Sequence, residues 1–181
     1  MLKVNNTILL VIDLQVRMMP VIHNNEALVQ KVAACISACK LLDIPILTMQ
    51  QYTKGLGETV PALQAALGTF KHIEKNTFSC YGSPEFVESL EQSGRTNVII
   101  AGVETHICVQ QTVLDLLKEN YNVYIAADCV GSRKEFDFGY AVTRMDKAGA
   151  IFTTMESILF ELLVRSDHPK RKEITSLIVN L

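Results

Sequence analysis

The sequence predicts a three-layer α/β domain, in which a doubly wound, mainly parallel sheet of six strands lies between two layers of helices. Short apolar runs rich in β-branched residues alternate with amphipathic helical patterns along the whole chain. Neither repeats nor low-complexity linkers interrupt this alternation. The 181 residues, of which 49% are hydrophobic, suffice for one buried core, so residues 1–181 are predicted to form a single domain.

The individual elements follow from the period of the apolar residues. Continuous apolar runs are typical of parallel strands that are buried on both faces. Apolar residues three and four positions apart are typical of helices that pack on a sheet. Strands are predicted at residues 7–12, 45–49, 70–75, 98–101, 121–126 and 150–154. Helices are predicted near residues 26–42, 61–67, 84–92, 105–117, 137–148, 156–164 and 168–179.

Strands that alternate with helices form parallel sheets through right-handed crossovers, as in Rossmann-like folds. Such sheets bind ligands beyond the carboxyl ends of the strands, at the point where the strand order reverses. If strands 7–12 and 98–101 are neighbours at that reversal, the residues that follow them face one crevice. No Gly-x-Gly-x-x-Gly follows the first strand and no phosphate-binding glycine loop occurs, so we expect no nucleotide or other cofactor.

The composition argues against several classes of partner. A net charge of −2 argues against nucleic-acid binding through a broad positive surface. No apolar run approaches the length of about 18 residues that a membrane span needs, and no signal-peptide pattern opens the sequence. Five scattered cysteines without a Cys-x-x-Cys favour a reducing compartment over a disulfide framework or a zinc site. We therefore expect a cytoplasmic protein that binds neither membranes nor nucleic acids.

The segment from Val98 to Val109 is predicted to present a cysteine at the start of a helix. A buried strand at residues 98–101 ends at Gly102, and a helical pattern begins at Thr105, a plausible N-cap. Cys108 then lies in the first helical turn, where the helix dipole favours the thiolate, so its pKa is predicted to fall below the usual value of about 8.5. The alternative is that Cys108 is a small apolar core residue.

Two further strand ends carry charged residues. Asp13 follows the first strand, where it is either a functional carboxylate or a helix cap. Lys75 ends the third strand, where it is either a functional cation or an ordinary exposed lysine. With Cys108 they supply what a thiol nucleophile needs: a base for the thiol proton, a cation beside the thiolate, and a helix N-terminus for an oxyanion.

The remaining cysteines and several polar or aromatic residues are secondary candidates. Cys35 and Cys39 lie four residues apart on one helix face and are predicted to fill the core, whereas Cys80 and Cys129 are predicted on loops. His106 is expected to have a structural or interface role. Weak candidates for a substrate pocket, each with a structural alternative, are Gln15, Tyr52, Phe78 and Arg133.

Three segments together resemble the isochorismatase-like cysteine hydrolases. They are residues 11–15 (Val-Ile-Asp-Leu-Gln), 75–79 (Lys-Asn-Thr-Phe-Ser) and 102–109 (Gly-Val-Glu-Thr-His-Ile-Cys-Val). Their order and spacing are those of the family, and Asp128-x-x-x-Ser132-Arg133 also fits. The loop after the second strand, from Gln51 to Gly57, is most similar to the isochorismatase domain-containing proteins.

This resemblance implies a catalytic triad of Cys108, Asp13 and Lys75. It also implies a cis peptide bond between Val103 and Glu104, with an oxyanion hole formed by the backbone N–H groups of Glu104 and Cys108. The substrate would be a small carboxamide, cleaved through a thioester. The family also implies a homo-oligomer, either a dimer, a tetramer or a larger assembly.

Two departures from the family narrow the reaction. Family nicotinamidases bind a metal through an Asp-x-His motif after the second strand, where this chain has Gln50-Gln51-Tyr52-Thr53-Lys54, so we expect no metal. The isochorismatases proper act without a cysteine nucleophile. The expected activity is therefore a metal-independent amidase-type hydrolysis, and the alternatives are a non-catalytic oligomeric binding protein or a thiol redox sensor.

Overall fold

The computed structural model describes residues 1–179 and 181, and it contains one parallel sheet of six strands. The strand order is β3-β2-β1-β4-β5-β6. The strands are β1 (Thr7–Ile12), β2 (Ile46–Gln51), β3 (His72–Lys75), β4 (Asn97–Val103), β5 (Asn122–Gly131) and β6 (Ile151–Thr153). The strand order reverses between β1 and β4, which pair directly, so the condition stated for a shared crevice is met.

Helices connect the strands. They are α1 (Asn25–Leu41), α2 (Thr53–Leu56), α3 (Pro61–Leu67), α4 (Pro84–Ser93), α5 (Gln110–Lys118), α6 (Glu135–Lys147), α7 (Met155–Leu163) and α8 (Arg171–Val179). The short helix α2 lies inside the polar loop 50–57, where the sequence pattern predicts no helix. No helix within residues 1–179 is long and apolar enough to cross a membrane.

Two apolar clusters, one on each face of the sheet, make the predicted three layers. One cluster contains side chains of α1, α3, α7 and α8, and the other contains side chains of α4, α5 and α6. All residues of β1 and β4 are buried, which explains why their sequences are continuous apolar runs. Helices therefore cover both faces of the sheet, and the predicted fold class is confirmed.

The main difference from the predicted elements lies in β5, which continues to Gly131 instead of ending at residue 126. The pairing of β4 with β5 shifts register between Ile100 and Gly102, and β5 resumes pairing beyond the shift. The polar Asp128 interrupts the apolar pattern there, but its carboxylate accepts hydrogen bonds from Met155 N–H and Lys31 Nζ.

The prediction that Cys80 and Cys129 lie on loops was wrong. Cys129 belongs to β5 and Cys80 to a short 3₁₀ turn, and both side chains are fully buried. Cys35 and Cys39 are buried on α1, as predicted. All five cysteines are free thiols.

Candidate active site

The three residues singled out as a possible nucleophilic site lie at the carboxyl edge of the sheet. Asp13 directly follows β1, Cys108 lies just beyond β4, and Lys75 is the last residue of β3. Because β3 is separated from β1 by β2, the lysine side chain approaches Asp13 from two strands away. All three residues are buried, so Lys75 is not an ordinary exposed lysine.

The Lys75 ammonium is held by four oxygen acceptors. Its Nζ lies 2.7 Å from Asp13 Oδ2 and 2.6 Å from Gln51 Oε1. It also donates to the backbone carbonyls of Thr77, at 3.3 Å, and Phe78, at 3.1 Å. These contacts fix the cation beside one carboxylate oxygen. The other oxygen, Asp13 Oδ1, is buried without a hydrogen bond of standard geometry from the residues described.

The three ionisable groups shift one another's proton affinities. Burial raises the pKa of Asp13, although the Lys75 ammonium and the Cys108 thiol both act to lower it. Burial by itself would lower the pKa of Lys75, but the charge and the hydrogen bond of the Asp13 carboxylate, with contributions from the neighbouring Cys80 and Cys108, act against burial, so the Lys75 pKa is raised. Lys75 therefore stays cationic, which satisfies Asp13 Oδ2 and leaves Oδ1 able to receive a proton.

Cys108 lies in a π-helical turn, Thr105–Val109, that precedes α5. The Val109 N–H donates to the Glu104 carbonyl at 3.2 Å, which widens this turn relative to an α-helix. The predicted N-cap at Thr105 was wrong: Glu104 is the cap residue, and Thr105 Oγ1 is buried without a hydrogen bond among the described residues. The wide turn begins one residue earlier than the polar pattern suggested.

The predicted fall in the pKa of Cys108 was also wrong, since the pKa lies well above that of a free thiol. Burial is the main cause, and the Asp13 carboxylate adds to it, while the Lys75 ammonium acts in the opposite direction. The helix-dipole argument assumes a thiol at an open helix end. Here the sulfur lies in a buried pocket beside a carboxylate, so the resting group is a neutral thiol.

The backbone before Cys108 passes very close to β1. Gly102 has φ +140°, and a Cβ at this position would overlap the carbonyl oxygen of Ile12. Glycine is therefore required for β4 to pair with the end of β1. The next peptide bond, between Val103 and Glu104, is cis.

Glu104 is buried and forms hydrogen bonds with a residue that follows β5. Its Oε2 accepts hydrogen bonds from Arg133 N–H at 2.9 Å and from Arg133 Nε at 3.0 Å. The Arg133 side chain is otherwise half exposed at the carboxyl edge. Arg133 therefore links Glu104, the cap of the π-helical turn Thr105–Val109 (the nucleophile turn), to the residues that follow β5. Its guanidinium remains partly open to solvent.

The other weak pocket candidates divide into one buried amide and two exposed rings. Gln15 is fully buried, and its amide group bonds to the backbone of Gln51 and Gly57 at 2.7–3.0 Å, so it fastens the loop after β2. Tyr52 and Phe78 are 51% and 55% exposed, and their backbone groups hydrogen-bond with Lys75. Both rings are exposed enough to contact a ligand.

Sequence reasoning missed two residues that contact the site. Gln51, at the end of β2, accepts from Lys75, and it could have been found because polar residues at this edge are candidates. Thr112, on α5, donates its hydroxyl to the Cys108 carbonyl at 2.7 Å. Nothing in the sequence marks a threonine inside an amphipathic helix for such a role.

A separate cavity lies away from the three central residues. A cavity of about 400 Å³ lies at the end of β5, between α1 and α6, and its walls include Leu28, Lys31, Asp128 and Ser132. Beside it, Ser132 Oγ lies 3.0 Å from His106 Nδ1, which agrees with a structural role for His106. In residues 1–179, no group of three or more His, Cys, Asp or Glu side chains is arranged to hold a metal ion.

The fold and the site define a class of protein: a doubly wound α/β domain with a carboxylate, a lysine and a cysteine at the strand-order reversal. Residues 7–157 match the family described as the Isochorismatase domain. The chain belongs to this family, as its motifs predicted, and is a hydrolase of the isochorismatase-like type.

The relatives include isochorismatase domain-containing proteins of vertebrates. The chain is 35% identical over 175 residues to isochorismatase domain-containing protein 2 of Xenopus laevis, covering 96% of this chain and 84% of the frog protein. It is 38% identical over 173 residues to isochorismatase domain-containing protein 1 of Salmo salar, covering 95% of this chain and 60% of the salmon protein.

Solved structures agree with the fold. A Caenorhabditis elegans protein described as MAR1 ribonuclease superposes with a TM-score of 0.93 at 38% identity, covering 98% of this chain and 92% of that one. The YcaC gene product of Escherichia coli, described as an octameric hydrolase of unknown specificity, superposes with a TM-score of 0.86 at 23% identity, covering 99% and 95% of the two chains.

Proposed function

We propose that this protein is a metal-independent cysteine hydrolase that cleaves the C–N bond of a small carboxamide. Cys108 is the nucleophile, Asp13 the proton acceptor and donor, and Lys75 the cation that orients Asp13. The observation that carries this proposal is that the two carboxylate oxygens of Asp13 have different surroundings. Its Oδ2 is bound to Lys75, and its Oδ1 is buried without a hydrogen bond of standard geometry among the described residues. The Asp13 carboxylate and the Cys108 thiol are close enough to shift each other's pKa.

In the first half-reaction the thiol proton passes to Asp13 as sulfur attacks the amide carbon. The raised pKa of Cys108 favours this order, because a thiol that is neutral at rest needs a base at the moment of attack. The C–N bond then breaks, and Asp13 returns the proton to the leaving amine. A thioester on Cys108 and a free amine result.

In the second half-reaction water attacks the thioester. Asp13 takes a proton from the water, the C–S bond breaks, and the thiolate recovers that proton from Asp13. The backbone N–H groups of Glu104, the cap of the nucleophile turn, and of Cys108, within that turn, are proposed to stabilise the oxyanion in both steps. Lys75 stays protonated throughout and keeps the negative charge of Asp13 in place.

The pocket proposed for the substrate lies beside the exposed rings of Tyr52 and Phe78, with the partly open guanidinium of Arg133 at the other end of the edge. Gln15 is left out of it, because both ends of its amide are occupied by backbone groups. An apolar or aromatic carboxamide suits these rings better than a strongly charged one.

The test is ammonia release from a panel of small carboxamides and ureido compounds. We expect Cys108→Ala to lower the rate about 1,000-fold or more, and Asp13→Asn and Lys75→Met to lower it about 100-fold. Cys39→Ala, which changes a buried cysteine on α1, serves as the matched control and should retain activity. Release that persists in Cys108→Ala would overturn the proposed nucleophile.

A second candidate is cleavage of RNA, because the C. elegans relative at 38% identity is described as a ribonuclease. The net charge of −2 makes a broad RNA-binding surface unfavourable, so we propose a small-molecule substrate instead. Incubating the same variants with single-stranded RNA separates the two candidates. Cleavage that requires Cys108 and falls steeply with salt would favour the ribonuclease.

The non-catalytic and redox alternatives are separated by thiol chemistry. A binding protein that only retains the fold would leave Cys108 unreactive towards an electrophilic probe at neutral pH. A redox sensor would consume peroxide through Cys108 and release no amine from any compound. The proposed hydrolase instead predicts fast alkylation of Cys108 that needs both Asp13 and Lys75.

A further inference from the structure

We propose that Thr112 is a positioning residue of this site, which aligns the nucleophile with the segment that holds the lysine. This inference rests on the proposed function, in which Cys108 and Lys75 act on Asp13 together. Thr112 lies on α5, one helical turn after Cys108, and its side chain is fully buried. It touches neither Asp13 nor Lys75 in the described hydrogen bonds, so its effect is exerted through its neighbours.

The Thr112 hydroxyl makes a hydrogen bond on each side. It donates to the Cys108 carbonyl at 2.7 Å and accepts from the Cys80 N–H at 2.9 Å. A hydroxyl has one proton to donate and lone pairs to accept, so a single side chain satisfies two buried backbone groups. An isosteric valine would leave both the carbonyl and the N–H without this partner.

The Cys80 side of this link leads back to Lys75. The carbonyls of Thr77 and Phe78, which accept from Lys75 Nζ, precede Cys80 by only two or three residues. The Thr77 hydroxyl donates to the Ser79 carbonyl at 2.8 Å, which tightens this segment. The position of residues 77–80 relative to α5 therefore determines where two of the four oxygen acceptors of the Lys75 ammonium lie.

A second contact from α5 supports the same segment. The Ser79 hydroxyl donates to Asp115 Oδ2 at 2.6 Å, and the same oxygen of Ser79 accepts from the Tyr81 N–H at 3.2 Å. Thr112 and Asp115 are three residues apart and share one helix face. Together they bind residues 79–81 to the helix that begins just after Cys108, so α5 aligns the nucleophile and the lysine as one unit.

The measurement is the pH dependence of Cys108 alkylation by iodoacetamide, followed by mass spectrometry between pH 6 and 8. In the wild-type protein we expect a rate that hardly changes with pH, because Asp13 receives the proton inside the site. In Thr112→Val we expect a rate about 10- to 100-fold lower at pH 7. It should also rise about tenfold for each pH unit, as for a thiol that must ionise into solvent.

Three further variants keep the outcome interpretable. Thr112→Ser keeps the hydroxyl and should restore the flat profile to within about threefold of the wild-type rate. Thr7→Val is the matched control, because the Thr7 hydroxyl is equally buried and donates to the carbonyl four residues earlier, at 2.8 Å, but lies at the amino end of β1. It should lower stability and leave the profile flat. If Thr112→Val fails to fold, Asp115→Ala tests the same alignment, with a smaller expected effect.

The outcomes separate this inference from the proposed function. A wild-type profile that rises with pH and does not depend on Asp13 would overturn the proposed function. A flat wild-type profile that remains flat and equally fast in folded Thr112→Val or Asp115→Ala would overturn the positioning role alone. A slow, rising profile in Thr112→Val with rescue by Thr112→Ser supports it.

Discussion

Cys80 is a buried thiol beside the site, and its proton is held more tightly in the folded chain than in the unfolded one. Burial raises its pKa from 9.0 to about 12, with Lys75 opposing and Asp13 adding to the shift. The folded thiol therefore stays protonated between pH 9 and 12, whereas the unfolded thiol ionises above pH 9. Since the folded state binds more protons in this range, stability falls as the pH rises through it.

We expect the difference in Cys80 pKa between the folded and unfolded states to lower the unfolding free energy of the wild-type protein by about 1 kcal/mol from pH 8 to pH 10. Cys80→Ala removes the titrating group, so its stability should decrease less over the same interval, even though the smaller side chain lowers stability at both pH values. Urea unfolding at the two pH values measures the difference. An equal loss in both proteins would contradict the raised pKa.

At the level of single residues, the sequence was informative about residue type and position but not about proton affinity. Asp13 and Lys75 could be singled out because charged residues that follow buried strands point to the carboxyl edge. The direction of the Cys108 pKa could not be predicted, because it depends on how deeply the sulfur is buried and on which carboxylate oxygen faces it. Both quantities appear only when distant segments are packed together.

Among the elements, the contact between β4 and β1 at Gly102 places the nucleophile turn. A side chain at this position would overlap the Ile12 carbonyl, and φ +140° is unfavourable for any residue with a Cβ. We expect Gly102→Ala to destabilise the protein by about 2–5 kcal/mol and to abolish Cys108 alkylation at neutral pH. Chemical unfolding and the alkylation assay measure the two effects.

Gly94 provides the control for this substitution. It also has a positive φ, +62°, but a Cβ there would meet no atom within 4 Å. Gly94→Ala should cost only about 1–2 kcal/mol and leave Cys108 as reactive as in the wild-type protein. If the two alanine variants behave alike, the conformation of glycine matters more than its close approach to β1.

The types of the main elements followed from their apolar periods, and the errors occurred where polar residues lie inside an element. β5 extends past Asp128 because Lys31 and the Met155 N–H satisfy its carboxylate. The π-helical turn at Thr105–Val109 also escaped prediction, since nothing in a single sequence distinguishes it from the first turn of an α-helix. Tertiary hydrogen bonds decide both cases.

For the whole molecule, the predicted homo-oligomer remains a prediction, and the exposed apolar side chains indicate where its contacts are to be sought. The apolar Leu177 and Ile178 of α8 pack against the core of the same chain. The most exposed aromatic side chains are Phe136, at 73%, and Tyr140, at 68%, whose rings lie 4.8 Å apart on α6. Such a pair on the surface is costly unless something covers it.

We expect the double substitution Phe136→Glu and Tyr140→Glu to reduce the mass of the particle in solution, measured by light scattering, towards the 20.1 kDa of one chain. Val179→Glu, which changes a residue of α8 that is 74% exposed, should leave the mass unchanged. A wild-type protein that already has the mass of a single chain would refute the predicted oligomer. Dissociation by Val179→Glu alone would place the contact at the C-terminal helix instead.

The cation of the site comes from β3, an edge strand of only four residues that pairs with β2 alone. Edge strands with few pairing partners open more readily than central ones. A brief detachment of β3 would carry Lys75 away from Asp13 while the other five strands remain paired. The proposed hydrolysis should therefore be lost on warming before the sheet melts, so that the outermost strand, and not the core, sets the temperature limit of this activity.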